Sequence, residues 1–279
     1  MLVLAVIVLF AILGPIVFRT DPHATSPDQY AAPSARHFFG TDVNGRDLFA
    51  RVLEGARISL LVGLSGAMVS FVIGTAYGLI AGYAGGKTDA FMMRVVEILY
   101  AIPRLIIIII ASFVFDPIVK AHLADIWGGV LIGYSRILIL IIALGLIEWL
   151  TMARIVRGQV LSLKNQQFVA AARSLGQSHA KIITRHLLPN LLGVVVIYLT
   201  LTIPAVILDE SFLSFLGLGV QSPQASWGSL LAEGAQVINP IRSYWWLLVF
   251  PALAMSVTLL SLNFLGDGLR DALDPRQRR

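Results

Sequence analysis

Cysteine is absent from the 279 residues of this chain. Its absence excludes a disulfide framework, thiol chemistry and any metal site with cysteine ligands. The five histidines are scattered along the chain, and neither an H-E-x-x-H segment nor a Ser–His arrangement occurs. Because hydrolases and metal centres usually show such clusters, we expect no catalytic residue and no metal ligand here.

Charge is also scarce. Asp, Glu, Lys and Arg make up 13% of the residues, whereas 57% are hydrophobic and the mean hydropathy is +0.81. A soluble domain carries about 25% charged residues, so the composition predicts an integral membrane protein. The net charge of +5 does not indicate nucleic acid here, because excess Lys and Arg in membrane proteins usually mark cytoplasmic loops.

Six hydrophobic stretches are long enough to cross a membrane as helices. They cover residues 2–18, 59–82, 95–115, 128–152, 191–208 and 245–266. A signal peptide is the alternative for the first, but no basic segment precedes it and no clear cleavage site follows, which favours a retained helix. With six spans, the predicted inner segments carry twelve Lys and Arg and the outer loops seven. This bias places both termini in the cytoplasm.

Small residues recur every fourth position in the second stretch and predict a close helix–helix contact. They are Gly66, Ser70, Gly74, Gly78 and Gly82. Residues 81–88 (AGYAGGKT) come close to a phosphate-binding loop, but they follow an apolar helix rather than a strand. We therefore predict a cytoplasmic turn there, without nucleotide.

Pro103 predicts a kink or break in the third stretch, and Arg104 follows it directly. An ionisable residue at membrane depth indicates function, although Arg104 could instead extend its charge from a helix end to the membrane surface. We expect an outer loop at 116–127 and short re-entrant or interfacial helices within the glycine-broken segment 211–235.

The longest polar interruption late in the chain is residues 163–190, which hold four Lys and Arg, two His and no acid. We predict two short amphipathic helices joined by a bend at Gly176, with Ser178 capping the second helix and Pro189 ending it. Their apolar positions recur at helical spacing at Phe168, Ala172, Leu175, Ile183 and Leu187. An interfacial helix resting on lipid is the alternative.

The same segment resembles the "EAA" signature of ABC-importer permeases. That signature is Glu-Ala-Ala, a Gly four residues after the second Ala, and Leu-Pro twelve and thirteen residues after the Gly. This chain has Ala170 at the Glu position and His186 where Ile is usual. The resemblance implies a coupling helix that docks into a groove on a separate ATP-hydrolysing subunit. The residues that it implicates are Ala170, Ala171, Ala172, Arg173, Gly176, His186, Leu188 and Pro189.

A second segment resembles the H-x-x-G-T-D-x-x-G-R-D motif of C-type permeases of the dipeptide, oligopeptide and nickel transport family. Its residues are His37, Gly40, Thr41, Asp42, Gly45, Arg46 and Asp47. By local pattern, Asn44–Gly45 predicts a turn, and Thr41 or Asp42 could cap a helix. Two later segments, DESFLSFLGLGVQSPQASWGSLL and NFLGDGLRDALDPR, are similar to the same family.

The resemblance implies an all-α membrane protein with six transmembrane helices, the type I ABC-importer fold and cytoplasmic coupling helices. We divide the chain into residues 1–58, the first helix with an extracytoplasmic loop, and residues 59–279, a core with the coupling loop 153–190. The implied partners are a homologous second permease, two ATP-binding subunits, an extracytoplasmic substrate-binding protein and membrane lipid. ATP and Mg would bind to the partner subunits, and this chain would bind no cofactor.

The implied function is that of a permease subunit in the cell inner membrane, in an ATP-driven, binding-protein-dependent importer of di- or oligopeptides. Import of nickel or another small solute is an alternative, as is a secondary transporter independent of ATP. Candidate pathway or gate residues are Arg104, Glu210, Ser211 and Phe212, although Glu210 could equally be a surface-facing helix end.

Overall fold

The computed structural model describes residues 2–18, 21–127, 134–238 and 242–273, apart from the side chains of residues 123–127 and 273. Most of the described residues are helical, and an isolated bridge between Thr41 and Asp47 supplies β-pairing. The helices are α1 (Leu2–Phe18), α2 (Leu48–Ala84), α3 (Gly86–Ala101), α4 (Arg104–Trp127), α5 (Ser135–Leu163), α6 (Gln167–Ser174), α7 (His179–Ile182), α8 (Leu188–Phe215), α9 (Trp227–Gln236) and α10 (Trp246–Leu273). The predicted all-α class is confirmed.

Five helical segments within the described residues are long and apolar enough to cross a membrane. They are Leu48–Ala84, Arg104–His122, Ser135–Leu163, His179–Phe215 and Trp246–Ala272. α1 is a shorter apolar helix of 17 residues, about 25 Å long at 1.5 Å per residue. The six predicted apolar helices are therefore all present, with different bounds.

The third predicted span is divided by a break before Pro103. Ile102 has φ −85° and ψ 127°, an extended conformation of the kind that a following proline favours. The predicted outer loop at 116–127 is wrong, because α4 continues through it to Trp127. Its polar residues pair within the helix: Lys120 Nζ lies 2.6 Å from Asp116 Oδ2, one turn away. The predicted start of the fourth span, residue 128, lies outside the described residues.

The fifth predicted span is too short, and Pro189 does not end the preceding helix. α7 passes through a π-helical turn at Ile183–Leu187 directly into α8, and Pro189 occupies the first turn of α8. In a continuous helix, proline removes an N–H donor that would otherwise bond to the preceding turn. The π-helical turn directly before Pro189 changes the hydrogen-bond register and accommodates the loss of that donor. Asn190 donates to the His186 carbonyl and does not cap a helix.

Two further expectations concern the segment bounds. Within 211–235, α8 ends at Phe215 and a short helix, α9, follows at Trp227, where Ser226 forms a reciprocal capping box with Ser229. The proposed boundary between residues 58 and 59 lies inside α2. The loop of residues 37–47 and the packed core are therefore joined by one continuous helix, α2.

α2 packs along α5 through the predicted row of small residues. A Cβ atom added at Gly74 would lie 2.8 Å from the Trp149 carbonyl oxygen, and one at Gly78 would lie 2.5 Å from that of Ala153. Backbone atoms occupy the space that a side chain would need, so the two helices can approach this closely only with small residues. This pair forms the centre of the fold.

Candidate functional site

The motif loop, residues 37–47, is organised around Asp42. Oδ1 of Asp42 accepts hydrogen bonds from the Asn44 and Arg46 backbone N–H groups at 2.8 and 2.9 Å. Oδ2 accepts from Arg46 Nε at 2.7 Å and from a terminal nitrogen of Arg51 at 2.8 Å. The carboxylate is buried, and it is satisfied entirely from within the chain.

Arg51 connects this loop to α9. Its guanidinium donates to both carboxylate oxygens of Glu233. The Arg51 side chain is only 2% exposed. The sequence reasoning did not identify Arg51 or Glu233 as a pair, because they are far apart in the chain. A buried charge that has two carboxylate partners is costly to leave unpaired, so Asp42, Arg51 and Glu233 lock the loop onto the core.

The other motif residues also have local structural roles. Gly40 and Gly45 have φ +80° and +69°, a left-handed backbone that favours glycine. The helix cap predicted at Thr41 or Asp42 is instead Asp47, whose Oδ1 accepts from the Ala50 N–H, while His37 Nδ1 lies 2.9 Å from Asp47 Oδ2. Thr41 accepts from the Ala31 N–H and donates to the Asp28 carbonyl.

The basic segment, residues 163–190, lies at the opposite end of α2. The two predicted short helices are present as α6 and α7, and Ser178 caps α7. Gly176, with φ +70°, lies between them. Its N–H donates to the Arg173 carbonyl, and the Gln177 N–H donates to that of Ala172. This pair of bonds is a Schellman motif, which confirms the predicted bend.

One face of the basic segment packs against α2, α5 and α8. Val169, Ala172, Ile182 and Leu187 are at most 3% exposed and join one apolar cluster with Met152 of α5. The predicted apolar face is only partly correct, because Leu175 is 79% exposed and Phe168 is 38% exposed. Helical spacing identified the apolar residues but did not show which of them pack against the other helices and which are exposed.

The exposed face carries most of the residues implicated in coupling. Ala170, Ala171, Arg173, Gly176 and Pro189 are exposed, His186 and Leu188 are partly buried, and Ala172 is buried. His186 Nε2 lies 2.9 Å from Gln177 Oε1, a contact between the residue that follows the bend and the π-helical turn. The segment thus presents apolar and basic side chains together.

Three side-chain contacts attach the basic segment and α3 to the helix pair at the centre. Lys164 Nζ donates to the Gly82 carbonyl at 2.7 Å, and the Tyr83 hydroxyl lies 2.7 Å from His179 Nδ1. Arg157 of α5 donates to both oxygens of Asp89, at 2.5 and 2.7 Å. The hydrogen bond from Arg157 holds the pKa of Asp89 below its usual value.

A charge cluster joins three helices in the apolar part of the fold. Arg104, at the start of α4, places one terminal nitrogen 3.7 Å from Glu148 Oε1 of α5 and the other 3.0 Å from Asp209 Oδ1 of α8. Of the predicted gate residues, Phe212 is 48% exposed and Ser211 is buried. The sequence placed Arg104 at membrane depth but did not show that Glu148 and Asp209 converge on it.

Glu210 lies apart from this cluster. It is 0% exposed, and its carboxylate accepts hydrogen bonds from the hydroxyls of Ser59, Ser211 and Ser214. The structure therefore places it neither on a helix-end surface nor beside Arg104. Among the described residues, no group of three or more His, Cys, Asp or Glu side chains is placed to hold a metal ion.

Comparison with known proteins supplies the wider context. Residues 74–279 match the family model described as "binding-protein-dependent transport system inner membrane component". The oligopeptide transport system permease protein OppC of Haemophilus influenzae is 47% identical over all of this chain and 84% of its own length. The dipeptide transport system permease protein DppC of Bacillus subtilis is 44% identical over 99% of this chain and 81% of its own length.

A solved structure shares the fold. A chain of the MetNI methionine ABC transporter, in an inward-facing conformation, superposes with a TM-score of 0.60 and 19% identity. The match covers 81% of this chain and 98% of that chain.

Proposed function

This chain belongs to the family of binding-protein-dependent transport system inner membrane components, and we propose that it is the permease subunit of an ATP-driven importer of di- or oligopeptides. The peptide class is supported by relatives that match essentially the whole chain and are named for oligopeptide and dipeptide transport. The fold of an ABC-transporter chain supports the same assignment.

The observation that carries the proposal is the connection between the basic segment and α8. α7, the π-helical turn and α8 form one run from His179 to Phe215, about 55 Å at 1.5 Å per residue. One end of this run belongs to an exposed surface of apolar and basic side chains. The other end holds Asp209, which contacts Arg104. Movement of the exposed end can therefore be transmitted to the charge cluster without a break in the helix.

We propose that the exposed surface is the docking site for an ATP-hydrolysing subunit. Leu175 and Phe168 supply the apolar contact, and Arg173, Lys181 and Arg185 supply positive charge around it. The segment contains no acid, so the matching groove should be acidic at its rim. ATP and Mg bind to that subunit, and this chain contributes no catalytic residue to their chemistry.

The rest of the assembly follows the same proposal. A homologous second permease completes the translocation pathway, two ATP-binding subunits occupy the side of the basic segment, and a substrate-binding protein delivers peptide at the side of the motif loop. Both termini then lie in the cytoplasm. Closure of the ATPase subunits moves the coupling segments and converts the permease from an inward-open to an outward-open state. The two states bind substrate with different affinities.

Purification of this chain in mild detergent, followed by mass spectrometry and an ATPase assay, tests the proposal. We expect recovery of a second permease and ATP-hydrolysing subunits, with ATP turnover that rises when dipeptide and binding protein are added together. A chain that is recovered alone and moves solute without ATP would contradict the assignment.

A further inference from the structure

Arg104 and Glu148 line a cavity of about 390 Å³ that is bounded by the end of α3, the start of α4 and α5. The rest of its wall is mostly apolar, for example Ile107 and Ile147, with the hydroxyl groups of Tyr100 and Thr151 at one side. Cavities of this size, with a few polar groups in an apolar wall, are typical of small-ligand sites.

The two carboxylates lie close to the level at which α2, α5 and α8 cross, and Arg104 reaches them from the first residue of α4. Gly66 is midway along α2, and its backbone is closely approached by Gly145 of α5 and Val206 of α8. Glu148 follows Gly145 by three residues, and Asp209 follows Val206 by three residues, so each carboxylate leaves its helix about one turn from this level. All three charges lie in helices that are long and apolar enough to cross a membrane, where charges are costly and usually mark a transport pathway.

The two carboxylates hold Arg104 differently. Asp209 makes the shorter contact, at 3.0 Å, and is not part of the cavity wall, whereas Glu148 makes a 3.7 Å contact and faces the cavity. The Arg104 side chain is 57% exposed, and a guanidinium has five N–H donors. Asp209 therefore anchors Arg104, and the looser pair with Glu148 remains open to exchange.

We propose that the Arg104–Glu148 pair binds the charged main chain of a short zwitterionic peptide as it crosses the membrane. Arg104 receives the peptide carboxylate in the paired geometry that a guanidinium favours, and Glu148 receives the ammonium group. Each charge exchanges one partner for another, which avoids an unpaired charge at membrane depth. This inference rests on the proposed function and adds a binding site within the pathway.

The apolar wall explains how one site serves peptides of different sequence. The two charged groups engage features that every free dipeptide has, and the aliphatic wall accepts side chains without directional bonds. If the pair acts only as a structural clamp between α4, α5 and α8, blocking a peptide terminus will not change occupancy of the cavity.

Because this chain has no cysteine, a single introduced thiol can report on the cavity. Thr151 is exposed and lines it, so the Thr151→Cys variant is reacted with N-ethylmaleimide in the purified complex with its partner subunits, without binding protein. The probes are alanyl-phenylalanine, its N-acetyl derivative and its C-terminal amide. At about ten times its dissociation constant, the free dipeptide should slow labelling roughly tenfold, and each blocked form should protect far less.

Two substitutions assign the contacts in the Thr151→Cys background. Glu148→Gln should reduce protection by the free dipeptide to the level of the N-acetyl derivative, and Arg104→Gln should reduce it to the level of the amide. Glu97→Gln and Arg94→Gln are matched controls, because they make the same changes in an exposed ion pair, and they should leave protection unchanged.

The inference is overturned if blocked and free peptides protect equally, if Glu148→Gln has no effect, or if the introduced thiol never reacts because a partner subunit fills the cavity. Uptake and peptide-stimulated ATP hydrolysis are measured on the same Thr151→Cys complex before labelling, and on the wild-type complex. If they are normal while protection is absent, the binding site is wrong and the proposed function stands. If both activities are absent, the proposed function itself has failed.

Discussion

The motif loop and the basic segment lie at opposite ends of α2 and use charge in opposite ways. At the end of α2 next to the motif loop, Asp42 and Arg46 of the loop pair with Arg51 of α2 and Glu233 of α9, and Arg51 is almost completely buried. In the basic segment, Arg173, Lys181 and Arg185 are exposed and no acid is present. Charges paired within the chain stabilise the fold, whereas a surface of one sign is available to a partner of the opposite sign.

The largest expected effect is on the paired side. Arg51→Met leaves the Asp42 and Glu233 carboxylates without their buried partner, a change that typically costs about 3–5 kcal/mol. We expect a large loss of thermal stability of the complex in detergent. Arg36→Met is the control, since its ion pair with Asp28 is exposed and worth about 0–1 kcal/mol. Equal stability of the two variants would mean that the loop is not held by this network.

On the unpaired side, a substitution should affect association and leave stability unchanged. Leu175 is 79% exposed, so Leu175→Asp removes a docking contact and adds negative charge facing an acidic groove. We expect a loss of about 2 kcal/mol, roughly 30-fold in affinity for the ATPase subunits, by co-purification and titration. Val43→Asp, at an exposed position of the motif loop, should leave that affinity unchanged. An equal loss of affinity in this control would show that docking of the ATPase subunits does not depend specifically on the basic segment.

A smaller effect is expected at the bend within the basic segment. Gly176→Ala places a side chain at φ +70°, which costs about 1–2 kcal/mol, although no neighbour lies within 4 Å of the new Cβ. The complex should assemble, with weaker substrate-stimulated ATP hydrolysis because α6 and α7 change their angle. Gly193→Ala, in α8 with the same open space, is the control, and normal stimulation by Gly176→Ala would argue against transmission through the bend.

The smallest effect concerns pH at the ion pair between Asp89 and Arg157. Since this pair lowers the folded-state pKa of Asp89 below the ordinary 3.8, its stabilisation is complete above that value and is lost as the pH falls through the folded-state pKa. The stability difference between wild type and Asp89→Asn should therefore shrink at pH below 3.8. Thermal unfolding at several pH values measures this stability difference. A difference that is constant across this range would show that the ion pair does not contribute to stability.

Local sequence patterns were sufficient where neighbouring residues decide the outcome. The break at Pro103, the bend at Gly176 and the close packing along Gly74 and Gly78 each depend on backbone geometry that one residue type imposes or permits. Pro189 was misread because the preceding π-helical turn accommodates its missing N–H donor and the helix continues through it. Leu175 was misread because periodicity identifies an apolar side without showing what covers it.

The sequence by itself determined that this is an all-α membrane protein of the binding-protein-dependent permease family, because hydrophobic length and short motifs are local properties of the chain. The tertiary structure alone decided which charges meet. Arg51 reaches Glu233 across 182 positions, and Glu148 and Asp209 converge on Arg104 from two different helices. Such pairings depend on how the helices cross, and no pattern along a single helix specifies that arrangement.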